Sequence, residues 1–268
     1  MFAAMTESRP DDAAPDAETW FGDRAVPPEA KPSLVRGVFD SVARRYDLMN
    51  DLMSAGVHRL WKRALVDALK PMPGEVFVDV AGGTGDIAFR ILERLGGGAA
   101  ATASGARVLV CDLTPAMLAV GRDRAIDRGL LAGIDWLAGD AERLPIADFT
   151  ADVYVIAFGL RNVTHIDRAL AEAHRVLKPG GRFFCLEFSH VVLPLLDRAY
   201  ALYSDAVLPA LGRVVAGDEP AYRYLVESIR RFPAQAELQR RIEAAGLRLA
   251  RCRNLSGGIA AIHSAWRI

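Results

Sequence analysis

Across 268 residues, 33 lysines and arginines balance 33 aspartates and glutamates, so no bulk electrostatic field draws this chain to nucleic acid. At 51% hydrophobic and 25% charged, it has the makeup of a globular protein with a sizeable core, not of a disordered or fibrous one. No stretch reaches the roughly 18–20 apolar residues of a membrane-spanning helix, and no basic segment leads into an apolar core as in a secretory signal. Cys111, Cys185 and Cys252 lie far apart in apolar runs. They read as reduced thiols of a cytoplasmic protein, with no metal expected.

Residues 1–32, rich in Ala, Asp, Glu and Pro and without periodicity, are expected to form a disordered or loosely docked tail. Trp20 and Phe21 are the side chains that could pin it. From residue 33 to 268 the chain reads as one domain. Val35, Phe39, Val42 and Tyr46 recur on one helical face, and a Ser-Ala-Gly break at 54–56 separates this helix from a second at 58–69. Helices ahead of a first strand commonly cap a site, although Phe39 reads as core.

Residues 75–80 form the first strand, followed by Gly82-Gly83-Thr84-Gly85 and a helix from Asp86. A buried strand, a glycine turn and a helix N-terminus make a nucleotide cradle. Gly83–Ala88 fits the G-x-G-x-x-A form of the dinucleotide fingerprint. The charges favour another ligand: Asp79 and Asp86 would both face a pyrophosphate that needs the positive end of the helix. An amino acid head without phosphate fits better, with its ammonium beside Asp79 and its carboxylate on the backbone N–H groups near Gly83. S-adenosylmethionine (SAM) is such a ligand.

Residues 96–106, a Gly/Ala/Ser-rich run, are expected to be a flexible surface loop. The second strand, 107–111, ends in Asp112, later than the usual ~20 residues after the glycine loop; the run at 96–106 accounts for the excess. An acid there suits the two ribose hydroxyls of either nucleotide. Thr114 and Pro115 open a helix as N-cap and first residue, and the third strand, 134–137, precedes Asp140, placed to accept from an adenine amino group. The fourth strand, 152–157, leads into Phe158–Asn162; a helix at 166–177 follows, with Asn162 or Thr164 as its cap. The fifth strand is 182–188. The alternation implies βαβ units and a parallel sheet with its ligand at the carboxyl ends of the strands. Residues 194–215 carry a broad apolar stripe, suited to covering a greasy substrate, lying on a membrane or packing on the core. A helix at 234–245 and two final strands complete the pattern, an α/β, doubly wound, mostly parallel sheet.

The blocks FDSVARRYDLMN, DVAGGTGD, FGLRNV, RVLKPGGR, LEFS, YRYLVESIRRFP and LSGGIAAIH resemble the ubiquinone/menaquinone biosynthesis C-methyltransferase family of class I SAM-dependent methyltransferases. The resemblance spans roughly residues 36–268. It implies a seven-stranded Rossmann-like sheet whose last strand is antiparallel, with a helical insert at 194–233 over the substrate. It also implies SAM contacts at Thr84, Asp112, Asp140 and Ala141, with Ala157 standing where relatives often carry serine. The implied reaction is methyl transfer to a ring carbon of a polyprenylated benzoquinol or naphthoquinol. Arg161, Asn162 and Tyr46 are the catalytic residues that it implies, Arg161 stabilising developing phenolate. His165 and His190 are alternative bases, each reading more readily as structural.

A polyprenylated quinol is thus the expected partner, in the cytoplasm and on the inner membrane face, with a homodimer or a quinone-biosynthesis assembly open. An O- or N-methyltransferase of a small metabolite, a non-catalytic nucleotide-binding protein and an NAD oxidoreductase are the competing readings.

Overall fold

The computed structural model describes residues 18–42, 51, 54, 56–192 and 219–268. Its centre is β3 (Val76–Val80), paired in parallel with β4 (Arg107–Asp112) on one side and β6 (Ala151–Ala157) on the other. With β5 (Ile134–Ala138), β7 (Leu177–Phe188), β8 (Leu247–Leu255) and β9 (Ala260–Arg267), these make a seven-stranded sheet in the order β5-β4-β3-β6-β7-β9-β8. Only β9 runs against its neighbours, antiparallel to both β7 and β8.

The strands are apolar on both faces because helices cover both. Side chains alternate along a strand. Phe77, Val108, Val110, Val153 and Val155 therefore pack on one side with α2 (His58–Leu69), α3 (Asp86–Arg94) and α7 (Glu219–Arg231). Val78, Leu109, Tyr154 and Ile156 pack on the other with α6 (Ile166–Val176) and α8 (Gln235–Ala244). Trp61 on α2 sets its ring edge-on to Phe188 at 5.8 Å, and its indole N–H donates to Ser256 Oγ at 2.9 Å. Burying a side chain of this size contributes about 1.5–3 kcal/mol, enough to hold the helix across the sheet.

Two expectations are corrected here. Residues 98–103 form a short helix, α4, not a flexible loop. Alanine is the strongest helix former, and Gly98 and Ala101 are buried, with Gly98 so close to the Ala132 backbone that a Cβ would lie 2.2 Å from its carbonyl oxygen. For residues 18–32 of the expected tail the disordered alternative is corrected, whereas docking through Trp20 and Phe21 is what the structure shows. Thr19–Phe21 (β1) and Arg24–Val26 (β2) form an antiparallel hairpin, and α1 (Lys31–Val42) follows directly. Two three-residue strands cannot stand alone; the hairpin is held by docking on α7, where Phe21 stacks on Tyr224 and Arg231 lies over the Trp20 ring. Tyr46 and the apolar stripe at 194–215 lie outside the described residues. No helix among the described residues is long and apolar enough to cross a membrane.

Candidate active site

The strand order reverses between β3 and β6, and the crevice opens there, outside the carboxyl ends of the strands. The loops leaving β3 and β6 touch: a Cβ on Gly159 would come within 2.4 Å of Ala81 Cβ. Gly83 and Gly85 adopt left-handed φ of 54° and 80°. At Gly85 a Cβ would also meet the Trp136 ring at 2.6 Å. Gly85→Ala should therefore move the loop off Trp136, cutting SAM affinity about 5- to 150-fold, a cost of 1–3 kcal/mol for strained backbone; calorimetric titration would read it.

The crevice gathers Asp79, Gly83, Thr84, Asp112, Asp140 and Ala141, all anticipated from the sequence. Asp79 is fully buried, and neither carboxylate oxygen has a hydrogen-bond partner among the described residues. Burial pushes its carboxyl up to about 8; the Ala88 N–H is the strongest opposing influence although it falls short of hydrogen-bond geometry, Lys62 opposes too, and the charges of Asp112 and Asp86 reinforce the rise. Asp112 accepts from Gly83 N–H at 2.9 Å and Thr114 N–H at 2.8 Å, which ties the glycine loop to β4. Burial raises its carboxyl too, those two N–H groups working against the rise. Asp140 accepts from Glu142 N–H at 2.9 Å, and the Thr84 hydroxyl accepts from Arg124 at 3.0 Å. Thr114 caps its helix by position only, its hydroxyl making no bond to the helix N–H groups.

Asp86 does not act as expected. Its carboxylate pairs with Lys62 Nζ at 2.8 Å and Arg90 Nε at 3.1 Å. Burial favours its neutral form, but these two cations outweigh that and hold the carboxyl below its ordinary range. The acid at the helix start is thus neutralised, and the case against a pyrophosphate falls to Asp79 alone.

Arg161 and Asn162 are adjacent in sequence yet face different ways. Both lie on a 3-10 turn, Leu160–Asn162, entered through Phe158 at a left-handed φ of 58°. Asn162 lines the crevice; Arg161 is not among its lining residues. The buried Arg161 guanidinium donates to Glu187 Oε1 and Oε2 at 2.9 and 3.0 Å and to Phe158 O at 2.6 Å. Burial raises the Glu187 carboxyl, the arginine opposing it. The pair clamps the turn from behind. On the crevice side, Asn162 Oδ1 accepts from Tyr224 Oη–H at 3.0 Å, and Asn162 Nδ2 faces Phe158 O at 3.4 Å. A carbonyl can only accept, so the amide nitrogen must be the atom beside it, and the orientation follows.

Helix α6 is capped from outside: Glu142 accepts from Thr164 N–H at 2.6 Å and His165 N–H at 2.9 Å, so neither Asn162 nor Thr164 is the cap. His165 also meets Glu142 at 2.8 Å through Nδ1, and His190 Nε2 lies 2.9 Å from Phe232 O; neither histidine lines the crevice. Val35 and Phe39 on α1 and Met117 on α5 (Pro115–Asp127) supply apolar walls, so Phe39 is both core and lining. Lys62, Glu142, Glu187 and Tyr224 escaped the site reading, although Glu187 and Tyr224 sit inside the blocks LEFS and YRYLVESIRRFP.

The chain is similar to known proteins over nearly its whole length. A family model described as the ubiE/COQ5 methyltransferase family matches residues 27–267. The ubiquinone/menaquinone biosynthesis C-methyltransferase UbiE of Methylobacterium nodulans is 57% identical over 259 residues, covering 96% of this chain and 99% of that protein. The human mitochondrial 2-methoxy-6-polyprenyl-1,4-benzoquinol methylase is 50% identical over 278 residues, covering 94% of this chain and 85% of that one. In fold the chain is similar to a SAM-dependent methyltransferase of Thermotoga maritima, with a TM-score of 0.60 at 18% identity, over 87% of this chain and all of that one. With a glycine loop at the switch point, three strand-end acids in one crevice and near-complete coverage by these relatives, this chain belongs to the ubiE/COQ5 methyltransferase family.

Proposed function

We propose that the protein transfers a methyl group from SAM to a ring carbon of a polyprenylated benzoquinol, with the corresponding naphthoquinol as a second substrate. The observation that carries this reading is the pairing, in one crevice, of an unpartnered buried carboxylate at Asp79 with an uncharged amide donor at Asn162. The first suits an ammonium and the second a ring oxygen. When bound, SAM supplies a methyl group on a cationic sulfur that leaves as a neutral thioether.

The chain's residues do the rest. Asp79 would hold the ammonium; the Gly82, Gly83 and Gly85 N–H groups already donate to Cys111 O, Asp112 and Gly82 O, so Thr84 N–H is the loop donor left for the carboxylate. Asp112, already fixed by two backbone N–H groups, keeps free lone pairs for ribose hydroxyls, and Asp140 with Ala141 borders the adenine. A quinol hydroxyl ordinarily ionises near pH 10, and carbon attack gains as its proton departs to solvent; the hydrogen displaced from the methylated ring carbon then returns to that oxygen, so one proton is released per methyl transferred. The Asn162 amide, with one N–H turned to Phe158 O, has a second to stabilise the developing phenolate. Arg161 acts one layer behind, keeping the turn in shape through Glu187 and lending positive charge without touching the ring. Val35, Phe39 and Ile87 keep water off the reacting carbon.

The test is isotope-labelled SAM offered with a short-chain polyprenyl benzoquinone lacking the ring methyl, oxidised or chemically reduced. Labelled product is expected from the reduced form alone. Methylation of an oxygen or nitrogen on a small soluble metabolite, with the quinol untouched, would overturn the assignment.

A further inference from the structure

The N-terminal hairpin buries little of the core, yet five contacts hold it. Asp23 N–H donates to Glu227 at 3.0 Å, and Arg231 Nε donates to Asp23 at 3.0 Å. The Arg231 guanidinium lies 3.7 Å from the Trp20 ring centroid. Gly22 sits so tightly against Glu227 that a Cβ there would meet its carboxylate at 2.1 Å. The fifth contact is Phe21, stacked on Tyr224 with centroids 4.4 Å apart and planes 21° from parallel. Tyr224 is 4% exposed and does not line the crevice, but its hydroxyl reaches Asn162, which does. Burial keeps that hydroxyl protonated well above its ordinary range, so it remains a donor. A second tether runs from the chain just beyond the hairpin: Lys31 Nζ donates to Val163 O at 2.7 Å, one residue after Asn162.

We infer that the hairpin is a positioning element for methyl transfer: Phe21 holds Tyr224 so that its hydroxyl fixes the Asn162 amide with its second N–H toward the substrate. Phe21 and Tyr224 are positioning residues, since neither lines the crevice. Without the stack, the phenol ring has room to turn, and the amide oxygen loses its 3.0 Å donor, leaving only the longer 3.4 Å contact to Phe158 O to hold the orientation. An amide free to flip presents oxygen to the ring for part of the time, and a developing phenolate is repelled by it. The effect belongs in kcat and not in SAM binding, because the SAM contacts sit on β3, β4 and β5. The inference rests on Asn162 acting at the transfer site.

The test is a double-substitution cycle in the full chain, with SAM affinity and thermal midpoint followed beside kcat. Tyr224→Phe keeps the stack and removes only the hydroxyl; it should lower kcat about tenfold, the worth of one hydrogen bond realised in the transition state, with SAM affinity unchanged. Phe21→Ala should lower kcat about as much, and Phe21→Tyr should restore it. Combined, Phe21→Ala and Tyr224→Phe should be no worse than Tyr224→Phe alone, because both act through one hydroxyl. Multiplicative losses in the double variant would overturn the inference, as would an unaltered kcat in Tyr224→Phe. Asn162→Ala separates the two readings: a normal kcat there defeats the site assignment and the relay together. A lowered kcat in Asn162→Ala beside a normal Tyr224→Phe defeats the relay alone.

Discussion

Arg161→Ala should cost the folded protein about 3–5 kcal/mol, the usual penalty for stranding one member of a buried ion pair. For a chain of this size that is roughly a 10 °C fall in thermal midpoint. The stranded group is Glu187, whose side chain is 2% exposed against 1% for Arg161. The pH dependence identifies the cause. Without the arginine, the Glu187 carboxyl rises further above its ordinary value, so the folded variant holds a proton that the unfolded chain releases near pH 4.3. Its stability therefore falls as pH climbs through that value and continues to fall up to the raised folded one. The gap from wild type should be small near pH 4 and widen toward pH 8. Arg161→Met combined with Glu187→Leu, which removes both charges at similar volume, should regain most of the loss. Urea denaturation at several pH values measures all of this. A wild-type midpoint for Arg161→Ala at pH 8 would show that the clamp behind the turn bears no strain.

The second large effect concerns Asp79. With its carboxyl at about 8 in the free protein, most sites are protonated at pH 7, whereas an ammonium ligand needs the ionised form. Binding SAM should then expel about 0.8 proton per site at pH 7, with affinity rising about tenfold per pH unit well below pH 7 and only about threefold between pH 7 and 8. Over that last unit the ligand's own α-amino group, near 7.7–8.0, loses its charge, so affinity peaks near pH 8. Asp79→Asn should flatten the acid limb and weaken binding at least about 30-fold at pH 8, the lower end of the loss when one partner of a buried charge pair is removed. For the free protein the sign is opposite. A raised carboxyl costs nothing below its ordinary value and progressively more as pH passes from about 4 to 8. The substitution should therefore stabilise the ligand-free protein at pH 8, by at most about 5 kcal/mol less whatever entering water restores, and leave it unchanged at pH 4. Titration calorimetry in buffers of different ionisation enthalpy counts the protons; no proton release at pH 7 would refute the ammonium assignment.

Patterns within a dozen residues carried the main frame. Apolar runs bounded by glycine marked β3, β4 and β6, and the acids closing them, Asp79 and Asp112, were legible because strand ends and binding crevices coincide in such sheets. What stayed hidden is pairing at a distance. Nothing in periodicity joins Lys62 to Asp86, Arg161 to Glu187 or Asn162 to Tyr224, since each pair is assembled by strands and helices remote in sequence. The first of these pairings reversed the reading of Asp86. The hairpin was missed because three-residue strands leave no alternation to detect, and its order comes from docking. In 98–103 low complexity suggested a loop, but alanine's helix propensity and contact with Ala132 outweighed it.

The placement of β9 between β7 and β8 constrains the order in which the sheet can be completed. β8 leaves the ribosome first yet has no berth until β9, synthesised after it, has zipped onto β7. During that interval β7 offers an unpaired apolar margin to any neighbouring nascent chain. A message truncated just before residue 260 would leave both strands without their shared partner, a product suited to aggregation and not to a slightly shortened enzyme.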